Sequence, residues 1–149
     1  MAKNQAGLKK LVFDFAKISK ENKSYLRKNM RAIGKPTLQK IQASASWSRR
    51  IPGSTKMGVG FTTRNTGIRI QTDRHVSPHA RPHEHAGEPG TFRHPLFGDD
   101  SKDRKLWTWY SQPAKPYMYP SAVEDLPDIA DRMLDVLMEL CHKNGFTPS

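Results

Sequence analysis

The 149-residue sequence predicts an α+β domain, and three observations carry that expectation. Apolar residues recur at helical spacing through the first third of the chain, the period drops to two between Val59 and Ile70, and an amphipathic helix closes the chain. Helix, helix, hairpin, loop, strand, helix is an order in which helices pack on one face of a small antiparallel sheet, with a long loop set to one side. Hydrophobic residues make up 36% of the chain, enough for one modest core, so residues 1–149 are expected to form a single domain.

In residues 1–22, Leu8, Leu11, Val12, Phe15 and Ile18 predict an N-terminal helix that ends in a polar joint at 19–23. The pattern resumes at Tyr25, Leu26, Met30, Ile33, Leu38, Ile41 and Ala45, with Lys and Arg between, and predicts a long basic helix over 23–47. Pro36 lacks a backbone donor and clashes with the carbonyl four residues back, so a kink is expected there. Residues 48–57 read as a basic loop marked by Pro52 and Gly53. A β-hairpin follows over 57–72, with Val59, Phe61, Ile68 and Ile70 on its buried face and Arg64-Asn65-Thr66-Gly67 as the turn. Residues 73–105 hold five of the six histidines among prolines and glycines, and predict a long loop with little regular structure. Residues 106–112, rich in aromatics, return to strand character. The final helix is expected over 121–144. Ser121-Ala122-Val123-Glu124 has the form of a capping box, and Leu126, Ile129, Met133, Val136, Leu137 and Leu140 form its stripe. Asp125, Asp128, Asp131 and Asp135 form an acidic face and Asn144-Gly145 the stop; Pro127 sits awkwardly, so the start can slip.

The formal charge of +11 is uneven. Residues 1–56 carry 14 Lys and Arg against Asp14 and Glu21, whereas residues 118–149 carry Arg132 and Lys143 against six acids. A basic front and an acidic tail attract, within one chain or between neighbours, and the excess favours polyanions. No apolar run approaches the roughly 18 residues of a spanning helix, so no membrane partner is expected. The first residues lack the apolar core of a secretory signal, and the single cysteine, Cys141, excludes an intrachain disulfide framework; synthesis in a reducing cytoplasm is expected.

No residues suggest catalysis. His79, His83 and His85, with His75 and His94 nearby and Glu84 or Glu88 as hard ligands, have metal-binding chemistry but no motif spacing, so the stretch reads as a polar loop without metal. Cys141 and His142 are adjacent and point about 100° apart on a helix, and Cys141 falls on the apolar stripe. Gly58-Val59-Gly60 lacks a third glycine and precedes a strand, and Asp99-Asp100 reads as a turn. Neither an enzyme nor a cofactor is expected. Trp107 and Trp109 share one side of their strand and Tyr110 the other, which suits a core better than base stacking.

Gly90-Thr91-Phe92-Arg93-His94-Pro95-Leu96-Phe97-Gly98, followed by Trp107, Gln112, Pro116, the Tyr117-Met118-Tyr119-Pro120 junction and an amphipathic helix, resembles the neck or tail-completion proteins of long-tailed bacteriophages. The resemblance spans most of residues 25–145; the His-rich stretch at 77–85 and the acidic insertion at 99–103 depart from it. It implies a structural virion protein, made in the host cytoplasm and assembled as a hexameric ring between the head-closure and tail-terminator proteins, around the DNA channel. Under that reading Phe92, His94, Pro95, Leu96, Phe97, Trp107, Tyr117 and Tyr119 are interface candidates. Arg49, Arg50 and Lys56, taken to share one loop, are candidates for non-specific contact with DNA in the channel. Two rivals are a basic nucleic-acid-binding module, suggested by the charge, and a metal-dependent nuclease, suggested by the histidines.

Overall fold

A computed structural model describes residues 2–96 and 107–146. Two helices, α1 (Ala2–Ile18) and α2 (Lys20–Ser44), lead through the single turn α3 (Ile51–Ser54) into a hairpin, β1 (Thr55–Phe61) and β2 (Thr66–Thr72). A short helix α4 (Ala80–Glu84), a 3-10 turn at His85–Gly87, a second hairpin of β3 (Thr91–Pro95) and β4 (Trp109–Pro113), and α5 (Tyr119–Lys143) follow. The fold is α+β: helices pack on small antiparallel sheets, each of two strands among the described residues.

The joint between the first helices is one residue and not five. Ser19 is extended (φ −152°, ψ 159°) and its hydroxyl accepts from the Asn22 amide at 3.0 Å, which caps α2 at once. The long helix therefore starts three residues earlier than 23 and ends at Ser44. Pro36 lies inside it, and both Pro36 and Ala32, whose carbonyl loses its donor, are exposed, so water can serve the orphan carbonyl.

Helix α2 is the spine of two apolar clusters. Its first half contributes Leu26 and Met30 to a core completed by Val12 and Phe15 of α1 and Leu137 and Leu140 of α5, with Val59, Phe61 and Ile68 packed against it. Its second half sends Ile41 to a cluster with Ala45, Ile51, Ala80 and Tyr117. Between them Gly34 lets the first hairpin lie on the helix backbone: a Cβ there would stand 2.6 Å from Met57 Sδ and 3.0 Å from Ile68 Cγ2.

In that hairpin Thr55, Met57, Val59 and Phe61 stand opposite Thr72, Ile70, Ile68 and Thr66, and this is the face turned to the helices. Lys56, Gly58 and Gly60 stand opposite Gln71, Arg69 and Gly67 on the other face. The turn comprises residues 62–65, where Thr62 and Asn65 exchange backbone bonds of 3.2 and 3.0 Å, two residues earlier than the expected Arg64-Asn65-Thr66-Gly67 turn.

Within the expected loop over 73–105, the described residues 73–96 are more regular than their composition suggests. Pro82 occupies the first turn of α4, where a missing amide hydrogen costs nothing. Pro95 and Pro113 sit at opposite ends of the β3–β4 ladder, paired with Trp109 and Thr91, where the lost donors are tolerated. The strand expected over 106–112 runs instead over Trp109–Pro113, and Leu106 lies outside the described residues.

The capping box at Ser121 does not form. Helix α5 begins at Tyr119 with Pro120 in its first turn; the buried Ser121 hydroxyl donates to the Tyr117 carbonyl at 3.2 Å, and Glu124 reaches Lys40. The cap comes from α4. The Glu84 carboxylate accepts the amides of Tyr117, Met118 and Tyr119 at 3.1, 2.9 and 2.6 Å, which satisfies orphan donors and sets a negative charge at the helix N-terminus. At the other end Gly145 is left-handed (φ 79°), and the Gly145 and Phe146 amides bond the His142 and Cys141 carbonyls at 3.1 and 2.9 Å, a Schellman stop as the sequence expected. Asn144 and the buried Asn22 exchange side-chain amide bonds at 3.3 and 3.4 Å and tie this end to the start of α2.

Candidate functional site

The segment that carries the Gly-Thr-Phe-Arg-His-Pro motif folds into the second hairpin. Its ladder pairs Phe92 with Gln112 and His94 with Tyr110, and extends by bonds from Leu96 N–H to the Thr108 carbonyl (2.9 Å) and from Ala114 N–H to the Gly90 carbonyl (2.6 Å). Pairing fixes two faces, since alternate residues share a side. On one, Phe92, His94 and Tyr110 form a file of rings: His83 to Phe92 at 4.8 Å, Phe92 to His94 at 6.1 Å, and His94 to Tyr110 at 5.8 Å. On the other, the Arg93 guanidinium lies 5.9 Å from the Trp109 ring, which stands 6.0 Å from Trp107.

The file starts at a buried base and ends in solvent. His83 of α4 is 4% exposed, with Trp47 at 4.4 Å and His79 edge-on at 6.2 Å. The amide nitrogen of Gln112 donates to His83 Nε2 at 3.4 Å, which puts the ring proton on Nδ1, and that atom is buried without a partner among the described residues. Burial, and then the charges of His79, Lys115 and His94, hold the His83 pKa below its ordinary value, so the neutral imidazole belongs to the fold. At the far end Tyr110 is 56% exposed, Trp109 41% and Leu96 46%, and no described strand pairs with either outer edge of this two-stranded ribbon.

The eight interface candidates divide. Leu96 and Tyr119 are exposed, and Phe92, His94, Pro95 and Trp107 are half-buried; Phe97 lies outside the described residues, as do Asp99 and Asp100. Tyr117 is a core residue: it is 2% exposed, its hydroxyl is 3.0 Å from that of Thr72, and burial raises its pKa. Arg49, Arg50 and Lys56 are all exposed but do not share a loop. The arginines precede α3, whereas Lys56 projects from β1 on the face of the sheet opposite the helices, because the strand begins two residues earlier than expected. Cys141 is half-buried against the first cluster. Among the described residues no three His, Cys, Asp or Glu side chains are grouped to hold a metal ion.

A second surface was not legible in the six-residue stripe of the last helix. Only Leu137 and Leu140 of that stripe are buried. Leu126 of the stripe forms, with Val123, Leu134 and Met138 beside it, an exposed row, each 39–50% exposed, next to the carboxylates of Glu124, Asp128, Asp131 and Asp135. The signal was Leu134 and Met138, which widen the apolar arc beyond what one core needs. Among the described residues, ion pairs join the basic front and acidic tail at one place: Lys40 Nζ lies 2.7 Å from Glu124 and 3.0 Å from Asp125, and the Thr37 hydroxyl donates to Asp125 at 2.6 Å. The Thr37 bond and then the Lys40 ammonium hold the Asp125 carboxyl below its usual range.

No protein-family model matches the chain, and no curated protein or solved structure is significantly similar to it.

Proposed function

We propose that the chain is a structural virion protein of a phage head-tail connector: a ring, hexameric by the resemblance, that joins the head-closure protein to the tail terminator around the DNA channel. One observation carries the reading. The described part of the motif that bears the resemblance, Gly90–Leu96, is folded into a two-stranded ribbon with exposed Leu96, Trp109 and Tyr110, and no described strand pairs with its outer edges. Such a ribbon is marginal alone, and open edges with apolar side chains invite a partner. The uncovered row on α5 points the same way, since a lone soluble chain has little reason to leave Leu134 and Met138 in water. The proposed role needs no reaction, and its machinery is shape.

A nonsense mutation in this gene, in the phage that carries it, tests the role. The expected result is filled heads and complete tails that do not join, with joining restored when the purified chain is added to the lysate. Normal virions from the mutant, or empty unfilled heads, would rule the neck role out. The alternative, a basic nucleic-acid-binding module, is favoured by one feature, the cationic face of the first hairpin.

A further inference from the structure

The face of β1–β2 turned away from the sheet's core side carries Lys56, Arg69 and Gln71 as its only side chains, with Gly58, Gly60 and Gly67 between them. Gly58, Gly60, Gly67, Arg69 and Gln71 of this face line a groove of about 860 Å³ together with Arg64 of the turn and Lys9 and Lys10 of α1. A second groove of about 450 Å³ continues from it through the shared residues Arg69 and Gln71 to Lys56 and Arg74. Six exposed cations thus line one continuous surface. Only Lys10 has an ion-pair partner among the described residues, Asp14 at 2.9 Å; Asp73, at the far end, spends an oxygen on the His75 amide at 2.8 Å. Unpaired like charges on one surface repel, and an anion that spans them relieves the repulsion.

The floor agrees with a ligand that comes close. Gly60 is required by the fold, because a Cβ there would strike the Asn65 carbonyl. Gly58 is not: its φ is not left-handed and a Cβ would meet nothing within 4 Å. Glycine inside a strand weakens it, so an unrequired one beside Arg69 leaves room for something other than this chain. The ligand's shape follows from what is absent from the lining. Single-stranded nucleic acid is held by aromatic platforms, and among the described residues the lining of both grooves offers one aromatic, the half-buried Phe13 with Lys17 over its ring at 3.9 Å. Six cations spread over one surface with a single aromatic among them suit the regularly spaced phosphates of a duplex backbone better than stacked single-stranded bases.

We infer that the groove lined jointly by the first hairpin and α1 binds the backbone of double-stranded DNA without regard to sequence. The inference concerns the isolated chain and stands or falls apart from the ring reading. The test is fluorescence anisotropy of a labelled 25-base-pair duplex titrated with the purified chain over a salt series. With about five phosphates engaged, affinity should fall about 500-fold between about 50 and 200 mM salt, equally for unrelated sequences. Arg64→Glu with Arg69→Glu should weaken binding by at least about tenfold and flatten the salt slope by about two, whereas Arg49→Glu with Arg50→Glu should leave both nearly unchanged. Gly58→Val is the sharper variant. It should fold and melt no lower than the parent, because the added side chain meets open space and valine favours strands, yet it should weaken the duplex complex by about tenfold. Three results would overturn the inference: full duplex affinity in Gly58→Val and in the double arginine variant, loss of binding only in the 49/50 variant, or salt-sensitive self-association through these cations without DNA binding.

Discussion

Glu84 ties α4 to the start of α5, so its removal tests how the last helix is held. In Glu84→Ala three amides lose their acceptor at once. They do not count equally. Tyr119 is exposed, so its amide regains water at a cost of a few tenths of a kcal/mol to about 1 kcal/mol. Tyr117 is 2% exposed, and an amide left unpaired beside it costs about 1–3 kcal/mol, with Met118 between these extremes. The total is about 2–6 kcal/mol, or a melting temperature lower by about 4–24 °C for a chain of this length. Glu84→Gln keeps one carbonyl acceptor and should lose about half as much. Differential scanning calorimetry measures both. A fall under about 1 °C in Glu84→Ala would refute the reasoning, because the start of α5 would then need no carboxylate from α4.

The remaining expectations follow from burial. Neutral His83 stabilises the fold because its pKa in the fold lies below the value of about 6.5 in the unfolded chain. That contribution is complete above about pH 6.5 and is lost as pH falls below it, so the melting temperature should drop as pH falls through the acid side of about 6.5 and the drop should shrink in His83→Phe; identical pH profiles in the two proteins would exclude it. Leu26→Ala, at a fully buried position, should cost about 2.5–5 kcal/mol in urea unfolding, and a cost under about 1 kcal/mol would show that the first cluster is not packed as described. Leu134→Glu should change stability by no more than about 0.5 kcal/mol but prevent incorporation into virions; a normal virion yield would leave the exposed row of α5 without the assembly role argued for it.

How much of this was legible follows from the range of the signals. The α+β class, the first hairpin and the Schellman stop are written in local periodicity and turn chemistry, and Leu26, Met30, Ile41, Leu137 and Leu140 are buried where their spacing places them. The cap of α5 was not legible. Ser121 and Glu124 match a local motif, but Glu84, 35 residues before Tyr119, takes the amides, and no short-range pattern encodes that pairing. The second hairpin was half hidden for a related reason: its prolines read as loop until the ladder shows that Pro95 and Pro113 lie at its ends. Among the site residues, Tyr117 carried an interface expectation into the core, because an aromatic beside a proline looks the same from sequence whether it faces water or Thr72. The cationic surface escaped because its members, from Lys9 to Arg74, meet only after α1 folds over the hairpin.

Electron cryomicroscopy of the neck of virions that carry this gene tests the assembly claim most directly. The account predicts density for this fold repeated as a ring between head and tail, with the ribbon of Thr91–Pro95 and Trp109–Pro113 and the exposed row of α5 both covered by neighbouring subunits. A neck fully accounted for by other chains, or this chain present with Trp109, Tyr110, Leu134 and Met138 all in solvent, would contradict it.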